Sequence, residues 1–170
     1  MPDGGALHFP EQFRRWFDYE KDAHARVVTS LHTVPDTNLS HPDYQKALDL
    51  LAHIVAARAT WLHRIGYVDK APTTFFPTAP ELDILIKELD RVQRQWSKYL
   101  HTINEDELLR VFEYNSSEGP HYRNRVFDIL TQLFGHSWYH RGQIAALVRS
   151  LGGTPAETDF VYWSRKPIER

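Results

Sequence analysis

The chain has 170 residues, 42% hydrophobic and 25% charged, the balance of a single globular domain over residues 1–170 rather than of a disordered chain. Lys and Arg number 20 against 22 Asp and Glu, so there is no basic excess for a nucleic-acid partner. With no cysteine there is no disulfide, thiolate ligand or catalytic thiol of the protein's own.

No apolar run reaches the roughly 18 residues of a membrane span. Met1-Pro2-Asp3-Gly4-Gly5 lacks the basic and apolar regions of a signal peptide, so the expectation is a cytoplasmic protein with no membrane partner.

Four segments carry helical periodicity. In the first, Phe13, Phe17, Val27, Val28 and Leu31 form an apolar stripe that Pro35 stops, and Glu20 and His24 interrupt that stripe on the same face. The second runs from about Pro42 to Ile65, with Ser40 expected as the cap and Gly66 as the stop. A connection rich in Pro and Phe follows, containing Pro72, Phe75, Phe76, Pro77 and Pro80. The third helix opens near Pro80 with the most regular seam: Leu82, Leu85, Leu89, Val92, Trp96, Tyr99 and Ile103.

Residues 104–125 break the pattern. Alternation around Val111–Tyr114 and the turn-like run Asn115–Pro120 predict a small β-hairpin. The fourth helix spans about Val126 to Leu151, on a seam of Val126, Leu130, Leu133, Ser137, His140, Ile144, Leu147 and Leu151, and Gly152-Gly153 ends it. The aromatic tail Thr158–Trp163 is expected to pack back. The fold class is therefore all-α, a four-helix bundle with a small hairpin before the last long helix. The first two inter-helix links are long enough for a crossover, so length alone leaves the helix directions open.

The chemistry concentrates in His136-Ser137-Trp138-Tyr139-His140. An i, i+4 pair sets two imidazoles on one helix face, close enough to share a metal. His140 and Ser137 also interrupt an apolar seam, and inward polar groups need partners. Hydrogen-bonded core histidines are the other reading. Ser137 stands where a zincin carries its glutamate base, and the Glu-x-x-His pairs of a di-iron site are missing.

His53 is the candidate third ligand, with Asp49 one turn earlier expected to accept its second N–H. Three imidazoles with open positions suit a divalent ion such as zinc, nickel or iron. For Glu20 and His24 the readings are extra ligands, a catalytic base or pocket wall beside the metal, or an ion pair under the bundle end. His8, His32, His41, His63, His101 and His121 read as surface, and Trp138 and Tyr139 as packing residues.

His136-Ser137-Trp138-Tyr139-His140-Arg141-Gly142-Gln143, followed by Leu151-Gly152-Gly153-Thr154-Pro155 and Thr158-Asp159-Phe160, resembles the C-terminal signature of the DinB/YfiT-like superfamily. His53–Ile65 is similar to that family's His-containing second helix. The resemblance implies an up-up-down-down bundle, frequent homodimers, and a divalent metal on His53, His136 and His140. The first helix departs from the family pattern, with Asp22 where Trp is usual and His24 where Asn is usual.

For function, the resemblance implies a metal-dependent enzyme acting on a small-molecule substrate. One branch is an S-transferase using an external low-molecular-weight thiol such as bacillithiol, mycothiol or glutathione. The other is a hydrolase using a metal-bound water. A non-catalytic stress-response or metal-binding module is the reading from a different class.

Overall fold

The computed structural model describes residues 8–116 and 118–168; the expected N-terminal features at 1–5 and Ser117 of the expected turn lie outside them. Helix α1 (Phe9–Leu31) takes Pro10 in its first turn, where a missing N–H goes unneeded, and buries Phe13, Phe17, Val27 and Leu31 together with Glu20 and His24. Helix α2 (Pro42–Arg64) also starts on a proline. Its cap is His41, whose Nδ1 accepts from the Asp43 N–H at 3.1 Å; the expected Ser40 is one residue too early, because Pro42 already occupies the first helical position. Gly66 ends the helix at φ +83°, a backbone region that favours glycine.

Helix α3 (Leu82–Thr102) buries the expected seam from Leu85 to Tyr99, with Leu82 half-buried at its start. A single-turn helix not anticipated from the sequence, α4 (Glu105–Leu109), follows it. Asn104 caps α4 by accepting from the Glu107 N–H at 2.9 Å, and one turn with only Leu108 buried is too short to show periodicity. The expected hairpin is present: β1 (Val111–Asn115) pairs antiparallel with β2 (His121–Arg125), Phe112 facing Asn124.

Helix α5 (Val126–Ser150) buries Leu130, Leu133, Ser137, Arg141, Ile144 and Val148. After Ser137 the buried stripe steps by four where a step of three was expected, so Arg141 and Val148 take the places expected of His140 and Leu147. His140 is thereby left half-buried at the rim. At the helix end, a Cβ on Gly153 would stand 2.8 Å from Val148 Cγ1, so glycine permits the close return of the chain. The tail forms α6 (Phe160–Ser164) and packs back as expected, the rings of Phe160 and Trp163 lying 5.1 and 5.8 Å from that of Tyr19.

Side-chain tethers set the helix directions. Arg14, near the start of α1, donates to the carbonyls of Leu100 and Ile103 at the end of α3, at 2.8 and 2.9 Å. Along α1 and α5 the partners advance together: the Phe13 ring stacks on Phe134, Glu20 meets Arg141, and Ser30 donates to the Thr154 carbonyl. At the start of α2, Asn38 donates to Leu151 O at the end of α5 (2.9 Å). At its other end the Tyr67 ring lies 5.1 Å from that of Tyr99, late in α3.

The order is therefore up-down-down-up, which corrects the up-up-down-down arrangement that the family resemblance implied. The link after α1 turns back at one end of the bundle. Residues 66–81 run the bundle's length instead, which extended chain at up to about 3.3 Å per residue spans easily against about 1.5 Å in a helix. This crossover passes over α2 at His53. No helix among the described residues is long and apolar enough to cross a membrane.

Candidate metal centre

α2 and α5 run antiparallel and pack closely, so His53 on one faces His136 and His140, a turn apart on the other. His53 Nε2 lies 3.0 Å from His136 Nε2, and His140 Nε2 lies 3.2 Å from the same atom. All three donor atoms fall within 4.8 Å of one another. Metal–imidazole bonds of about 2.0–2.1 Å at tetrahedral angles separate nitrogens by about 3.3 Å, so the spacing fits a zinc-sized ion.

Two outer contacts fix the rings. His53 Nδ1 donates to the Phe75 carbonyl at 2.9 Å, and His140 Nδ1 donates to Gln143 Oε1 at 2.8 Å. A carbonyl oxygen only accepts, so both Nδ1 atoms carry the proton and both Nε2 lone pairs point to the centre. Asp49, expected to orient His53, instead accepts from the Ala79 N–H at 2.8 Å and from Gln45 at 3.1 Å. The acceptor for the His53 ring is the Phe75 carbonyl of the crossover. The Phe76 ring stacks on His53, centroids 4.6 Å apart and 5° from parallel.

His53 and His136 are biased toward the neutral imidazole, the form that binds metal. Burial first, then the neighbouring His140, His53 and Arg58, push His136 down to about 4. Burial also lowers His53, against the opposing hydrogen bond to Phe75. Among the described residues no fourth histidine or carboxylate joins the trio, and the chain has no cysteine. Three protein donors leave coordination positions open, the arrangement of reactive rather than structural sites.

Glu20 and His24 lie in a second polar cluster. Glu20 is fully buried; Arg58 donates to one of its oxygens and Arg141 to the other, the latter at 2.6 Å. Arg58 also donates to Ser137 Oγ at 3.2 Å, and Arg141 to Tyr19 Oη at 2.9 Å. His24 Nε2 sits 3.9 Å from Glu20 Oε2 without a hydrogen-bond partner. Burial, then Arg58 and Arg141, hold His24 far below the usual imidazole range. Neither residue is among the converging nitrogen donors.

Sequence reasoning missed Arg58 and Arg141, since arginine is ordinarily a surface residue, and it missed the Phe75–Phe76 cover, which no local spacing reveals. Gln143 was within reach, three residues beyond His140. Trp138 and Tyr139, expected to pack, are largely exposed, and the Tyr139 ring flanks His140 at 5.1 Å. Of the histidines read as surface, His63 is half-buried and bonds the Val68 carbonyl at 3.1 Å.

A crystal structure of a DinB-like protein from Bacillus cereus ATCC 10987 is similar in fold, with a TM-score of 0.67 and 21% identity over 86% of this chain and 95% of that one. None of the curated proteins matches the chain. The DinB family model matches residues 10–169, a span that takes in all four long helices and the histidine trio, and the chain belongs to the DinB family.

Proposed function

We propose that the protein is a divalent-metal-dependent enzyme that transfers the sulfur of an external low-molecular-weight thiol to an electrophilic carbon of a small-molecule substrate. The observation that carries this reading is the three-imidazole donor set with no fourth protein ligand among the described residues. A divalent ion there supplies Lewis acidity, which ionises a thiol or a water near neutral pH. In the transfer, the sulfur gives up its proton to solvent and forms a bond to carbon, while the leaving group departs with its bonding pair.

The chain's own residues do the holding. His53 and His140 present Nε2 because their Nδ1–H groups donate to Phe75 O and Gln143 Oε1. Since the chain has no cysteine, the nucleophilic sulfur comes from outside. Glu20 and His24 enter this reading as a buried brace behind α5, because both Glu20 oxygens are occupied by arginines. We place the protein in the cytoplasm, where small thiols stay reduced, and as a homodimer, which light scattering checks.

The test loads purified protein with zinc, nickel or iron and follows glutathione and 1-chloro-2,4-dinitrobenzene by mass spectrometry. Thioether formed by wild type faster than the uncatalysed reaction, and only at the uncatalysed rate with His136→Ala, His140→Ala, supports transfer. A dinitrophenol product formed without thiol supports the hydrolase instead. No turnover of any electrophile with any thiol at about one bound metal per chain makes the protein a metal-binding module.

A further inference from the structure

Between α2, the crossover and the start of α3 lies a cavity of about 390 Å³. Ala52, Val55 and Ala56 form its floor, Ile84 and Leu85 one side, and Pro77 with Pro72 the roof. The space exists because α2 presents alanines where a leucine at either position would fill it. Its volume falls within the about 300–1,000 Å³ of small-molecule sites and is more than twice the about 150 Å³ that accepts benzene in an engineered apolar cavity.

Two features of the wall select the occupant. The first is charge. Glu88 is the one ionisable side chain on the lining among the described residues, and its oxygens already accept from Arg91, at 2.8 Å to Nε and through a second contact to Nη2. Among the described residues no cation lines the cavity, so an anionic group entering it would lose its water without gaining a partner. The second is rigidity. The roof carries prolines on both sides of Ala79, which sits at φ +52° with its N–H held by Asp49. The Phe76 N–H is bonded to Thr74 Oγ1 at 3.1 Å. A pre-shaped slot favours a rigid ring, which loses little freedom on entry, over a flexible chain.

We propose that this cavity binds an uncharged bicyclic aromatic group of a small molecule, seated on Ala52 and Ala56 under Pro77. The same crossover turns Phe75 and Phe76 to His53 and Pro72, Thr73 and Pro77 to the cavity, so one segment walls both sites. The binding itself does not depend on a metal being present.

The experiment titrates methyl-labelled full-length protein with 2-naphthalenemethanol and, separately, with 2-naphthoate, its anionic counterpart. The expected result is saturable shifts at the methyls of Ala52, Val55, Ala56, Ile84 and Leu85 with the alcohol, and binding at least about tenfold weaker with the carboxylate. Ala56→Leu, which fills the space, weakens the alcohol at least about tenfold. If that variant fails to fold, Ile84→Asn on the exposed rim makes the same test. Repeating the titration on His136→Ala, His140→Ala separates the two readings: unchanged binding there upholds the cavity whatever becomes of the metal. Absence of saturable shifts, equal binding of the carboxylate, or indifference to both cavity variants overturns the proposal.

Discussion

α5 carries two polar clusters that differ by one residue. His136 and His140 face His53; Ser137 and Arg141, each the next residue and so about 100° around the helix, face Arg58 and Glu20. The second cluster pairs opposites, guanidinium with carboxylate, and is sealed. The first sets like against like, three imidazole nitrogens converging on one point, and lies half-open at the rim. Burial of polar side chains is therefore a poor sign of function by itself. The informative sign is a donor set that its own neighbours leave incomplete.

The sharpest way to break this contrast is metal content. Elemental analysis is expected to find about one divalent ion per chain in reconstituted wild type and none in His136→Ala, His140→Ala. An apo wild type after loading with zinc, nickel and iron makes the trio an ordinary hydrogen-bonded group.

Next comes stability. Glu20→Ala leaves two buried guanidiniums without their anion, a loss of about 3–5 kcal/mol for a broken buried pair. At this chain length that lowers Tm by roughly 6–20 °C, read by thermal unfolding of metal-free protein. The histidine double variant, compared in the same metal-free state, is expected to change Tm far less. Equal losses would erase the distinction between brace and ligand set.

A smaller effect tests the outer contacts. Gln143→Ala removes the acceptor that orients His140, and is expected to weaken zinc about tenfold in a chelator competition while leaving metal-free Tm nearly unchanged.

The mildest is pH. His24 and His136 both have folded-state values below the unfolded value of about 6.5, so the unfolded chain binds more protons beneath it. The stability they contribute is complete above about pH 6.5 and declines as pH falls, for His136 down to about 4. Urea midpoints of metal-free protein between pH 7 and pH 4.5 are expected to fall, and His24→Asn or His136→Ala to flatten the slope. A slope identical in wild type and both variants assigns the acid sensitivity to other groups.

Much of the bundle was legible because long amphipathic segments repeat one signal many times: α3 buries its expected seam, and Gly66 and Gly152 end helices at positive φ. The trio was legible because histidines broke that signal at helical spacing. What escaped depended on distant partners. Arg141 reads as surface until Glu20 and Tyr19 are placed beside it, and the Phe75 carbonyl reaches His53 only because the crossover runs back along α2. Helix directions escaped for the same reason, since a loop's length permits more routes than the chain takes.

The cover over His53 has a kinetic consequence. It is tied to α2 by the hydrogen bonds from His53 to Phe75 O and from Ala79 N–H to Asp49 and by the Phe76 ring stacked on His53, whereas the helices beneath share an extensive core. Lifting this strap as one stiff piece, with its own turns intact, costs far less than melting the bundle. Ion exchange at the trio is then timed by this local opening, and amide deuteration across residues 72–80 would run on the same clock, well ahead of the core helices.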